Sequence, residues 1–133
     1  MSKLVKSIQE AVMLAGLKDG MTVSFHHHLR NGDFVLNMVM EQIAAQGYKD
    51  IYINASSLFD VHMPLLEHIK NGVVTGIGAD YIAAGLGRAI SQGVLNKPVQ
   101  LPMVSAVGAA MNATSMGVLP VTMSLGLPPW VRN

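Results

Sequence analysis

The sequence predicts an α/β fold, a mostly parallel sheet with helices on both faces. Three observations carry that expectation. Short runs rich in β-branched residues alternate with stretches of about 12 residues at helical spacing, in the order β-α-β-α-β-α-β. The strand-like runs are short and rich in β-branched residues, as strands of a parallel, doubly covered sheet are. Half of the 133 residues are hydrophobic, which is enough for one domain with a real core and argues against intrinsic disorder.

Residues 2–15 read as the first helix, because Leu4, Val5, Ile8, Val12 and Ala15 recur at helical spacing. Ser2 can cap it and Gly16 stops it. Asp19-Gly20 forms a turn, and "TVSF" is a buried strand ending at Phe25. Asn31-Gly32 bends the chain into a helix over residues 34–46, with Asp33 placed to cap it and Gly47 to close it. "KDIYIN" is the second strand, "ASS" a loop, and "LFDVHMPLLEHIKNG" a third helix. Pro64 fits best in a first turn, so that helix is expected to start near Val61. "VVTGI" is the third strand, "GAD" a loop, "YIAAGLGRAISQG" a helix and "KPVQLP" a candidate fourth strand. Right-handed crossovers follow from this order.

Composition narrows the partners. Net charge is only +1 and no basic stripe is present, so no nucleic acid is expected. The absence of cysteine excludes disulfides, thiolate metal ligands and a cysteine nucleophile. The first residues lack the apolar core of a secretory signal, so the cytoplasm is expected. Residues 103–119 are apolar but shorter than the roughly 20 residues a spanning helix needs, so no membrane partner is expected. Charge is unevenly spread: residues 98–131, 34 in all, contain no Asp, Glu, Lys or Arg, although 13% of the chain is charged.

The segment "TVSFHHHLRNGD" raises the functional question. In open α/β sheets, ligands bind beyond the carboxyl ends of the strands. His26, His27, His28, Arg30, Asn31, Gly32 and Asp33 all follow the first strand at that edge. Asn54, Ser56 and Ser57 follow the second, and "GIGAD" follows the third. A metal site is one reading: in extended backbone His26 and His28 share a face and His27 does not. Two histidines fall short of the usual three or four protein ligands, so no metal is expected. A second reading makes the histidines polar residues packed at a strand end. The third is anion recognition, in which Arg30, imidazole donors and the start of the next helix suit a carboxylate or a phosphate. Asp33 reads as a helix cap rather than a catalytic acid. The glycines of "GIG" do not complete a dinucleotide fingerprint, since Tyr81 stands where a third glycine belongs. They read as relief of crowding between strand and helix. Ser56 and Ser57 either contact a ligand or cap the third helix.

These same residues carry a family resemblance. "KLVKSIQEAV", "GLKDGMTVSFHHHLRNGDFVLNMVM", "INASSL", "HIKNGVVTGI" and "GRAISQGVLNKPVQ" resemble the citrate lyase alpha subunit, a citrate CoA-transferase, over residues 3–100. The resemblance implies a CoA-transferase-like fold for residues 1–99, as an N-terminal fragment of a longer chain. It implies exchange of acetate for citrate on the thioester of an acyl-carrier subunit. No cofactor would bind directly, because the CoA-derived phosphopantetheine arm sits on that carrier. The implied partners are the citrate lyase beta and gamma subunits, with citrate and acetate as small molecules and an oligomer as the assembly. His26, His27, His28, Arg30, Asn31, Gly32 and Asp33 match the family's loop position by position, and no catalytic residue is assigned among them. The chain departs from the family at "GADYIAAGLGRAIS", where a Ser-Gly-Leu-Arg-Gly-like segment is expected. Past Gln100 a His-Gly-Gly-Arg-like turn is also missing, so residues 100–133 read as a divergent, uncharged tail of the kind a frameshift produces. The competing reading is a small cytoplasmic anion- or CoA-binding α/β module without catalysis.

Overall fold

The structure is a computed structural model that describes residues 4–26 and 33–100. Helix α1 (Ile8–Leu14) precedes strand β1 (Thr22–Phe25), and helix α2 (Val35–Ala45) leads to strand β2 (Ile51–Leu58). A 3-10 turn (Asp60–His62) and helix α3 (Leu65–Lys70) lead to strand β3 (Val74–Ile82) and helix α4 (Ala84–Ser91). The three strands pair in parallel in the order β1-β2-β3. This is the parallel α/β architecture that the alternation predicts, with the described helices α1 to α3 on one face of the sheet.

Several boundaries differ from the sequence reading. α1 starts five residues later than a cap at Ser2 would place it, because Ser7 is the residue in extended backbone whose hydroxyl accepts the Glu10 N–H at 3.1 Å. The Glu10 carboxylate in turn accepts the Lys6 N–H at 2.7 Å. "ASS" is not a loop, and "GAD" is not one either. β2 runs on to Leu58 and β3 to Ile82, with Ala55 opposite Ala79, Ser57 opposite Tyr81 and Leu58 opposite Ile82. Gly, Ala, Ser and Asp favour strands weakly, but each segment supplies the other's backbone partners and pairing overrides propensity. The Tyr81 and Ile82 predicted to open the last helix therefore end β3, and α4 begins at Ala84. The third helix is also shorter, a 3-10 turn followed by Leu65–Lys70 with Pro64 at its start.

One face of the sheet is covered. Val23, Phe25, Ile53 and Ile77 are buried there, under Leu36, Val39, Met40 and Ile43 of α2 and Leu65 and Ile69 of α3. Right-handed crossovers in the order 1-2-3 place both helices on the same side, and α2 touches α3. α1 packs on α2, leaving a small apolar cavity of about 50 Å³ between Ile8, Ala11 and Val12 of α1, Val39 and Ile43 of α2, and Val23.

The opposite face is polar. Across it run Thr22, Tyr52 and Gly76 in one row and Ser24, Asn54 and Gly78 in the next. The half-buried Tyr52 ring lies over both glycines: a Cβ on Gly78 would stand 2.8 Å from the Tyr52 oxygen, and one on Gly76 would meet the ring itself. "GIG" therefore makes room for a neighbouring strand's tyrosine, not for a helix. The Tyr52 hydroxyl donates to Oε1 of Gln100 at 3.1 Å, and burial raises its pKa. Gln100 adds a bridge on the far edge of β3, donating its N–H to the Ile77 carbonyl at 3.0 Å and accepting from Ala79 at 3.1 Å. Of the candidate fourth strand, Lys97, Pro98 and Val99 are not in a strand, Gln100 makes this one bridge, and residues 101–102 lie outside the described residues.

Candidate functional site

β1 stops at Phe25, which pairs with Ala55, while β2 and β3 continue for three more residues. The segment leaving β1 therefore starts on a ledge at the carboxyl edge of the sheet, level with Ser56. His26 is exposed at that point. His27, His28, Arg30, Asn31 and Gly32 lie outside the described residues.

Asp33 marks the return of the chain to α2. Its Oδ1 accepts the Val35 N–H at 2.9 Å, so it does the capping work predicted for it, from one position before the N-cap residue Phe34. Asn54 is nearly buried on the polar face, in register with Ser24 and Gly78, and the missing Cβ of Gly78 leaves space for its Oδ1. Ser56 and Ser57 are consecutive strand residues, so their side chains leave opposite faces of β2. Ser56 shares a face with Asn54; Ser57 does not. Neither caps a helix: Phe59 and Pro64 hold the N-cap positions of the turn and of α3.

The sequence reading missed His62, the fully buried polar residue nearest this edge. Its Nδ1 accepts the Phe59 N–H at 3.0 Å, and its Nε2 lies 3.0 Å from the Asp33 carbonyl oxygen. A nitrogen that accepts carries no proton, so the Nε2–H must donate to Asp33. This ring ties the start of α2 to the turn after β2. Asn37 makes a second tie, its Nδ2 donating to the Val61 carbonyl at 2.8 Å. Its Oδ1 is buried with no hydrogen-bond partner among the described residues. The signal available in the sequence was the spacing of Phe59 and His62 just ahead of Pro64, the reach-back position of a capped turn.

Among the described residues, no three His, Asp or Glu side chains gather where they could hold a metal ion. No described helix is long and apolar enough to cross a membrane.

The model of the citrate lyase alpha subunit family matches residues 1–129. The chain belongs to that family. The match extends past Gln100 and includes most of the uncharged stretch, beyond the point at which the sequence reading loses the resemblance. The citrate lyase alpha chain of Haemophilus influenzae is 47% identical over 127 residues, which are 95% of this chain and 25% of that one. The Escherichia coli citrate lyase alpha chain is 43% identical over the same share of this chain and 24% of its own. The chain thus spans about a quarter of the length of these curated relatives. Among solved structures, the alpha subunit of citrate lyase from Streptococcus mutans, in complex with citrate, superposes with a TM-score of 0.72 and 54% identity. That match covers 74% of this chain and 19% of the Streptococcus one. The decarboxylase AibA/AibB, 21% identical with a TM-score of 0.51, shares the fold alone.

Proposed function

We propose that this chain is a portion of a citrate CoA-transferase subunit and carries part of its citrate-binding surface, centred on residues 26–33. The observation that carries the reading is the 54% identical Streptococcus relative, described in complex with citrate. Citrate carries up to three carboxylates, and the segment offers them Arg30 and three imidazoles; a guanidinium binds a carboxylate through two parallel hydrogen bonds. Ser56, level with His26 on β2, and Asn54, two residues earlier on the same face, supply further polar groups at the same edge.

On this reading the whole subunit exchanges acetate for citrate on an acyl-carrier thioester. The acyl group arrives on the phosphopantetheine arm of a gamma-type carrier, and a beta-type lyase subunit cleaves the citryl product, within an oligomeric cytoplasmic complex. The share of the subunit present here supports binding rather than turnover. Calorimetric titration of citrate into the chain is the test. Wild-type chain should bind, and Arg30→Ala should weaken binding by tenfold or more, roughly the worth of a charge-assisted bidentate contact. No binding at millimolar citrate, or equal binding by the Arg30→Ala variant, overturns the proposal.

A further inference from the structure

Two rows of residues, Thr22-Tyr52-Gly76 and Ser24-Asn54-Gly78, make up the sheet face opposite α1, α2 and α3, and none of the six carries a charge. Only 7% of Asn54 is exposed, yet its side-chain amide makes no hydrogen bond among the described residues. Its Oδ1 lies over Gly78, where a Cβ would stand 3.2 Å away. A carboxamide withdrawn from water without partners is costly, so this face calls for a donor and an acceptor from elsewhere.

Gln100 fixes where the chain goes next. Its backbone bonds with Ile77 and Ala79 on β3, and its Oε1 accepts from the hydroxyl of Tyr52, which lies on the polar face. The chain therefore leaves the far edge of β3 at the rim of that face, with residues 101–133 to follow. Residues 101–131 contain no Asp, Glu, Lys or Arg and are mostly Ala, Val, Leu, Met and Gly. Such a stretch gains by leaving water, and a neutral face lets it do so without stripping water from a charge. The opposite face is already filled by helices, and parallel sheets are ordinarily covered on both. The family match runs on through residue 129, so the stretch is part of the matched sequence and not an addition to it.

We propose that the polar sheet face is the docking surface for this chain's own uncharged stretch: residues 101–133 return from Gln100 across Ser24, Asn54 and Gly78 and supply the partners of the Asn54 amide. Reach is no constraint, since three strands ~4.8 Å apart are spanned by a few residues of extended chain.

The chain contains no cysteine, so introduced pairs report contact cleanly. In the full chain, Ser24→Cys is combined in turn with Ser105→Cys, Ser115→Cys and Ser124→Cys, and disulfide formation is measured in a glutathione buffer. Met13→Cys, at a position 55% exposed on α1 and on the other side of the sheet, is combined with the same three as the reference. At least one Ser24 pair should show an effective concentration tenfold or more above every Met13 pair, whatever the protein concentration. Adding Asn54→Ala should lower that excess threefold or more. If no Ser24 pair exceeds the Met13 pairs, the face is open to water and the proposal falls. Disulfides that join two chains and increase with concentration assign the face to a second copy, and overturn it as well. An excess that Asn54→Ala leaves unchanged overturns the part given to Asn54. The first comparison alters nothing at Asn54 and decides alone if that variant does not fold.

Discussion

A Cβ placed on Gly76 would stand 2.8 Å from Cε2 of Tyr52 and closer still to Cδ2, in the middle of the ring rather than at a flexible tip. The ring cannot swing aside cheaply, because its hydroxyl is held by Gln100. Gly76→Ala should therefore destabilise the chain by about 1–3 kcal/mol, the usual cost of overpacking. Most of that cost should vanish in a Tyr52→Ser background, so denaturant midpoints over the four-variant cycle check the contact directly. Charge at single residues sets a second expectation. Burial lowers the pKa of His68 from 6.5, and the carboxylates of Glu41 and Glu67 oppose the shift. The unfolded chain then binds the proton more readily, so stability falls as pH drops through 6.5 towards the folded value. Asp50 works at the acid end: the Thr75 hydroxyl and then the Lys97 ammonium, 3.5 Å away, hold its pKa below 3.8. Its contribution is present above 3.8 and is lost as pH falls through the lowered value. Melting midpoints against pH should show both slopes, and His68→Gln should flatten only the first.

Helix α1 depends on its surroundings. At seven residues it would not form alone in water, so its cap and its packing on α2 must supply the difference. Ser7→Ala should cost about 1 kcal/mol through the lost N-cap bond. The cavity beneath it offers the opposite lever. Filling about 50 Å³ at ~24 cal/mol per Å³ contributes about 1 kcal/mol, so Ala11→Val should stabilise even after the lower helix propensity of valine. Ile43→Ala enlarges the same space and should cost about 2–5 kcal/mol; urea midpoints should rank Ala11→Val highest, Ser7→Ala next and Ile43→Ala lowest. The elements also show what was legible beforehand. α2 could be read because Leu36, Val39, Met40 and Ile43 repeat at helical spacing between Asp33 and Gly47, all local signals. The outer halves of β2 and β3 could not, since "ASSL" and "GADYI" become strands only by pairing with each other. His62 was illegible for the same reason: its meaning lies in Asp33, which adjoins it in space and not in sequence.

At the scale of the molecule, the helices α1 to α3 lie on one side of the sheet, and the polar row of Ser24, Asn54 and Gly78 is on the other. Parallel sheets are ordinarily covered on both faces. In the citrate lyase alpha subunits matched here, three quarters or more of the chain lies outside the region this sequence matches, enough to supply such a cover. Large apolar side chains are also turned to solvent: Leu4 is 89% exposed, Leu14 70% and Phe34 66%, with Met38 one helical turn after Phe34 on α2. Apolar surface of this kind marks contacts with other protein, and a chain that carries it without those contacts finds substitutes in its own copies. Expressed by itself, this 133-residue chain should therefore self-associate at micromolar concentrations and above. Sedimentation velocity over a concentration series should show a weight-average mass that rises with concentration. Phe34→Ser combined with Met38→Ser should lower it, because both side chains expose apolar surface at the start of α2. A single species at the monomer mass of 14.2 kDa, melting cooperatively at every concentration, would show that the described face needs no further cover.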